Sequence, residues 1–272
     1  MSFLSEIMRQ KKREVARKMD ALPLEKLRSL VDVGPTRDFY GALLGGDKII
    51  AEVKKRSPRV AEFTQAQHID GLAAVYERNG ACAVSVVTDE IHFGMSLADA
   101  QAIRNQVSLP VLVKDFFFDP YQIYEARAFG ADAVLLISLI LSADRLRSLL
   151  AVTHQLGMRA LVEIHSRRDL LRATQAGAEI VGINNRDLDT LEVSLDATRN
   201  LVGLVGNSAL IVSESGIRSR RDIQELCQLG VNAFLVGGAL LESSDPGKVL
   251  RTLLGKSRAT DNCDRVKKSR TV

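Results

Sequence analysis

From residue 48 onward, the apolar residues of this chain fall into two alternating textures. Short, nearly continuous runs of Val, Ile, Leu and Ala occupy 49–53, 83–87, 111–113, 133–137, 160–162, 180–183, 210–212 and 233–236. Runs of that length rich in β-branched residues predict strands buried on both faces. Between them, helical spacing covers 69–78, 96–105, 120–129, 143–155, 166–175, 195–201 and 219–229. Several of these segments end in Gly-Ala or Gly-Val, at Gly80, Gly130, Gly177 and Gly230, where a left-handed residue would turn the chain back into the next strand.

Eight strands alternating with helices predict an α/β fold with a parallel sheet covered by helices, closed as a (β/α)8 TIM barrel. A doubly wound open sheet is the alternative, but no Gly-x-Gly-x-x-Gly follows the first strand. Residues 1–47 read as an N-terminal helical extension, with Leu4, Ile7, Met8, Val15, Met19 and Leu22 as an apolar stripe beside Arg9, Lys11, Lys12, Arg13, Arg17 and Lys18. A helix laid against the barrel fits better than a transit peptide, because Glu6, Glu14 and Asp20 interrupt the basic face. The barrel is expected to fill 48–255.

Composition adds little except through its distribution. With 46% hydrophobic and 26% charged residues, the chain is an ordinary globular protein. Its formal charge of +4 lies in the tail 256–272, where six basic residues face two acidic ones, so the preceding residues are formally neutral. That tail has no helical period and reads as solvated and disordered; a nucleic-acid arm is the other reading. Cys82, Cys227 and Cys263 are far apart and odd in number, which points to a reducing compartment, the cytoplasm, and away from disulfides or zinc. Cys82 and Cys227 read as core filler. No apolar run reaches membrane-spanning length.

The chemistry sits where the strands end. In 49–58, Ile-Ile-Ala-Glu-Val-Lys-Lys-Arg-Ser-Pro, the two-residue period sends Glu52 and Lys54 to one face and Ala51 and Val53 to the other. Lys114, Glu163, Asn184 and Glu214 fall two residues after Leu112, Leu161, Gly182 and Val212, on the same inward phase. Barrel active sites lie at this end. An ion-pair network that merely plugs the mouth is the alternative. Ser215-Gly216 and Gly237-Gly238 close the last two strands, where such barrels offer backbone N–H groups to a phosphate. His68, His92, His154 and His165 lack metal spacing and read as surface or loop residues. No metal site is expected, and no Ser-His-Asp order or Gly-x-Ser-x-Gly turn occurs.

Taken together, the segments 49–58, 85–93, 110–123, 130–137, 161–166, 181–193, 212–217 and 232–240 resemble the indole-3-glycerol phosphate synthase family, over the N-terminal helix to about Gly255. The resemblance implies a phosphorylated small-molecule substrate, 1-(2-carboxyphenylamino)-1-deoxyribulose 5-phosphate. Its ring would close with loss of carbon dioxide and water, as a carboxy-lyase step of tryptophan biosynthesis. Lys114 would then be the general acid at the ketone oxygen, Lys54 the holder of the substrate carboxylate, and Glu163 the acid/base group of dehydration. Asn184 would bind sugar hydroxyls, and Glu52 and Glu214 would set the field around the lysines. Arg186 and Ser215 match further site positions; Ser57, Gly216, Gly237 and Gly238 match phosphate contacts; Phe93, Phe116, Leu135 and Leu188 match the aromatic pocket.

The aniline nitrogen can push electrons into the ring, so the resemblance implies no cofactor. Crowding by other cations is expected to lower the pKa of an acid such as Lys114. The resemblance is compatible with a monomer or weak homo-oligomer and with a tryptophan-pathway enzyme as partner. Other phosphate-binding barrel isomerases would favour Asp or Cys/Asp pairs at the strand ends, and a catalytically silent barrel would not need Lys54, Lys114 and Glu163 together. The chain departs from the family pattern at Arg59, at Phe93-Gly94-Met95-Ser96, and at Gly238 in place of serine.

Overall fold

The computed structural model describes residues 3–31, 34–58, 60–65 and 69–256. Arg59, His68 and the tail from residue 257 with Cys263 lie outside the described residues, and with them the reading of that tail as disordered. Eight parallel strands form a closed barrel in sequence order: β1 (Lys48–Val53), β2 (Ala83–Val87), β3 (Val111–Lys114), β4 (Ala133–Ile137), β5 (Arg159–Ile164), β6 (Ile180–Asn184), β7 (Leu210–Glu214) and β8 (Ala233–Val236). The β8–β1 pairing, Ile50 opposite Leu235, makes the closure and excludes the open doubly wound sheet.

The two-residue period sorts each strand between two cores. Ile50, Leu112, Leu135, Leu161, Val212 and Leu235 fill the barrel interior. Ala51, Val53, Val84, Val113, Val162 and Ile183 face outward into the layer beneath the helices. Because both faces are buried, the strands read as continuous apolar runs. Four strands nevertheless extend beyond those runs, through Lys114, Ile164, Asn184 and Glu214. Backbone pairing carries them on: Lys114 lies opposite Val87 and Asn184 opposite Glu214, whatever the side chains are.

Helix ends follow local chemistry. Ser96, Asp119 and Ser219 form capping boxes that satisfy the first free backbone N–H groups of their helices. Gly80 and Gly230, with φ of +95° and +105°, take the left-handed turn expected before β2 and β8. The short helices Glu90–Phe93 and Gly238–Leu241 carry too few residues for a period and escape sequence reading; the longer Pro246–Leu253 was also unforeseen.

Among the described residues, the N-terminal stretch is three helices rather than one stripe: Phe3–Ala21, Leu24–Ser29 and Phe39–Ala42. Phe39 and Leu43 are fully buried and join the interior cluster with Ile50 and Ala83. Val15 and Leu27 pack with Tyr121 and Tyr124, and the Tyr121 hydroxyl donates to Lys18 O at 3.1 Å. Lys11 departs from its expected place on the polar face. It lies four residues after Ile7 and four before Val15, so it belongs to the docked stripe and is only 2% exposed. Among the described residues, no helix is long and apolar enough to cross a membrane. Cys82 packs against the interior cluster and Cys227 against the outer one, where its thiol also donates to Asp47 Oδ1 at 3.0 Å.

Candidate active site

At the C-terminal mouth, the inward phase carries Glu52, Lys114, Glu163, Asn184 and Glu214 from five strands into one group. Lys54, one residue beyond β1, turns back to bond the Glu52 carboxylate and lies 5.6 Å from the centre of the Phe63 ring. Burial alone would raise the pKa of Glu52, but Lys54, Lys114 and Arg186 hold its carboxyl below the usual range. Lys114 moves opposite to expectation. Burial favours its neutral form, but Glu163, Glu52 and Glu214 outweigh burial and Arg186, and its pKa is raised. Carboxylates rather than cations dominate its surroundings, so Lys114 is an ammonium at neutral pH.

Glu214 is driven the other way. Burial first, and then the neighbouring Glu163, push its carboxyl well above the usual range despite Lys114, so it tends to hold a proton. Two glycines make room for these carboxyls. A Cβ at Gly182, opposite Glu163 on one side and Val212 on the other, would collide with Glu214 Oε1. A Cβ at Gly237 would collide with Glu52 Oε1. Gly237 therefore has a steric duty toward β1, independent of any phosphate.

The loops above are tied to one another. Lys55 N and Arg56 N both donate to Phe93 O, and the Arg56 guanidinium donates to Glu90 O at 2.7 Å and Ile91 O at 3.2 Å. This joins the loop after β1, where Ser57 and Val60 exchange backbone hydrogen bonds, to the helix ending at Phe93. The Phe93-Gly94-Met95-Ser96 departure has a local cause: Gly94 ends that helix in the left-handed region, Met95 is buried, and Ser96 caps the next helix. Phe116 and Leu135 pack in the interior cluster, while Leu188 is half-buried in the loop after β6. The Arg186 guanidinium donates to Leu191 O, and Asn184 Oδ1 accepts from Arg186 N at 3.0 Å. Ser215 and Gly216 both have positive φ, which turns the chain sharply out of β7; Gly237 and Gly238 begin the short helix after β8.

A family model described as indole-3-glycerol phosphate synthase matches residues 4–253. The chain belongs to the indole-3-glycerol phosphate synthase family. Synthases of that name from Dehalococcoides mccartyi strain CBDB1 and Carboxydothermus hydrogenoformans are 45% and 40% identical to it. The first alignment spans 89% of this chain and 95% of the relative, the second 93% and 99%. Among solved structures, a 3-hexulose-6-phosphate synthase from Salmonella typhimurium superposes with a TM-score of 0.60 at 15% identity, over 76% of this chain and 97% of that one. A mandelate oxidase carrying an FMN adduct superposes with a TM-score of 0.60 at 18% identity, over 77% and 72%. At such identities the likeness concerns the barrel fold alone.

Within the indole-3-glycerol phosphate synthase framework, three side chains matter that sequence reading passed over. Asn185 is buried between β6 and β7; its amide donates to Ser213 Oγ, Glu214 O and Ser215 O, each at 3.0 Å, and its Oδ1 accepts from Thr198. It holds the loop after β7 in shape. His92 is no free surface group, since its Nδ1 lies 2.8 Å from Asp89 Oδ1. His165 likewise stands over Glu163, with Nε2 3.4 Å from Oε1. The partners of Asn185 come from β7 and the helix after β6, so no local spacing signals them, whereas His165 meets Glu163 two residues earlier on the same strand phase.

Proposed function

We propose that this protein catalyses the indole-3-glycerol phosphate synthase reaction on 1-(2-carboxyphenylamino)-1-deoxyribulose 5-phosphate, with decarboxylation and dehydration. The observation that carries the assignment of roles is the charge pattern around Lys114, an ammonium set among Glu163, Glu52 and Glu214. Lys114 protonates the ketone oxygen as the aromatic carbon attacks. Having lost its proton, it is recharged within a ring of carboxyl groups, which favours return of the ammonium. Lys54 binds the substrate carboxylate and exchanges its Glu52 partner for that group when substrate arrives. Glu163 serves dehydration, and Asn184 and Arg186 bind the sugar.

Ser57, Gly216, Gly237 and Gly238 hold the phosphate, the glycines through backbone N–H groups, and Ser215 is a further catalytic-site residue. With Gly238 in place of serine, one side-chain hydrogen bond to a charged group is forgone, worth roughly 1.5–3 kcal/mol. Phe93, Phe116, Leu135 and Leu188 wall the aromatic ring. We place the enzyme in the cytoplasm as a monomer or weak homo-oligomer, with 1–47 as a docked extension, 48–255 as the catalytic barrel and 256–272 as a solvated tail, and with another tryptophan-pathway enzyme as its candidate partner.

The decisive experiment supplies the carboxyphenylamino-deoxyribulose phosphate and follows indole fluorescence together with carbon dioxide release. Both signals are expected in step with each other. Absence of product at high enzyme concentration would overturn the assignment.

A further inference from the structure

His165 continues the inward phase of β5 two residues beyond Glu163, and its Nε2 lies 3.4 Å from Glu163 Oε1. Both of its ring nitrogens are buried with no hydrogen-bond partner, and Glu163 Oε1 is unpartnered as well. Leaving such groups unpaired costs roughly 1–3 kcal/mol each, and native proteins keep few of them. Here the two unpaired atoms face each other at 3.4 Å, short of a hydrogen bond by a few tenths of an ångström. Catalytic hydrogen bonds are often long in the ligand-free state and tighten around substrate.

The surroundings give that contact a direction. Glu163 neighbours Glu214, and two carboxyls in one buried site do not readily ionise together. Which of them keeps the proton depends on what else each one touches. His165 touches Glu163. Asp187, in the loop after β6, interacts with the imidazole, and Asp169, on the helix Arg167–Ala176, accepts from the His165 backbone N–H. Asp169 is already engaged by His165 N, by the Ser166 hydroxyl and by Arg172 at 3.5 Å. Asp187 is held low chiefly by the Thr190 and Asp189 backbone N–H groups, with the His165 charge helping. Behind Glu163 stand Lys114 and Glu214.

We propose that His165 is the positioning residue of Glu163: with substrate in the mouth, its Nε2–H closes onto Glu163 Oε1 and fixes that carboxyl toward the substrate. This rests on the reading of Glu163 as the dehydration acid/base. The donor breaks the symmetry of the carboxyl pair, because the imidazole contacts Glu163 and a hydrogen bond to a carboxylate favours its role as a base.

The test compares full-length wild type with His165→Phe, His165→Gln, Glu163→Gln and the double variant His165→Phe/Glu163→Gln, reading kcat and KM across pH 5–9 and Tm. His165→Phe, which lacks a donor, is expected to lower kcat by about ten- to hundredfold with KM changed less, and to move the acid limb of the kcat profile to higher pH. His165→Gln, whose amide can donate to the same oxygen, should recover part of kcat. In the Glu163→Gln background, His165→Phe should add almost nothing. An unchanged kcat and acid limb in His165→Phe, with Glu163→Gln inactive, would overturn the role of His165 alone. A fall in kcat that tracks Tm with an unmoved pH profile would also overturn it, as a packing effect. Near-normal turnover in Glu163→Gln would instead overturn the reading of Glu163.

Discussion

Two clusters of buried charge stand side by side in this protein, on consecutive residues where β3 passes into its loop. Lys114 belongs to the mouth; Asp115 belongs to a cluster under the N-terminal helix. There, Lys11 Nζ lies 3.0 Å from Glu14, 3.1 Å from Asp89 and 3.0 Å from Asp115. Thr88 donates to Asp115 Oδ2, and the Phe116 N–H donates to Asp115 Oδ1. Burial would lower the pKa of Lys11, but Asp115, Asp89 and Glu14 raise it. At the mouth, by contrast, Glu163 Oε1 and both His165 ring nitrogens lack hydrogen-bond partners, and the Glu214 carboxyl bonds the neighbouring Glu163. One cluster has spent its polar atoms on itself. The other leaves several of them open at the barrel mouth.

Buried polar groups are expensive unless satisfied, so a satisfied cluster reads as structure and an unsatisfied one as a site. The same logic separates the two ends of the barrel. Asp132, fully buried near the N-terminal end of β4, accepts from Arg37 N, Val111 N and the Arg104 guanidinium. None of its oxygens is left for chemistry.

The largest effect expected from breaking this contrast is at Lys114. Lys114→Ala should cut kcat by about 10²–10⁴-fold while far-ultraviolet circular dichroism keeps the barrel signature, because it removes the acid rather than a core contact. Near-normal turnover would reassign Lys114. The reverse pattern is expected at Lys11. Lys11→Met strands two buried carboxylates, so denaturant unfolding should show a loss of about 3–5 kcal/mol. Its kcat should suffer far less than that of Lys114→Ala, and equal losses of kcat would erase the distinction between the clusters.

Gly182→Ala sharpens the picture at the mouth. The added methyl meets the Glu214 carboxyl, so a stability cost of about 1–3 kcal/mol should come with reduced kcat. The smallest effect concerns Glu214 and pH. Its folded pKa is raised, so the stability its protonated form contributes is complete below the unfolded carboxyl range and is lost as pH rises through the folded value. Glu214→Gln removes that dependence. Its Tm should exceed that of wild type at pH 8, and the gap should close on approach to pH 4. Glu52, whose folded pKa is lowered, has the opposite sign and contributes stability that disappears on acidification.

Much of this was legible one residue at a time. The eight apolar runs predicted all eight strands, because a strand buried on both faces must be apolar throughout. The inward phase of Glu52, Lys114, Glu163, Asn184 and Glu214 followed from counting by two from Ile50, Leu112, Leu161, Gly182 and Val212. The glycines that end the helices were readable because their reasons lie within a few residues. The burial of Lys11 was half legible: a spacing of four from Ile7 and Val15 placed it on the docked stripe, but its charge concealed that. Its partners Asp89 and Asp115 lie far along the chain, and nothing local announces them.

The sequence by itself determined which residues could reach the mouth, since alternation along a strand is a property of the backbone. Only the tertiary structure decided what they meet there. Barrel closure set the register that puts Gly182 beneath Glu214 and Gly237 beside Glu52, and it surrounded Lys114 with carboxyls rather than cations. The physical reason is that electrostatics and sterics act through space over a few ångströms, and in a parallel barrel the nearest groups come from strands tens of residues apart.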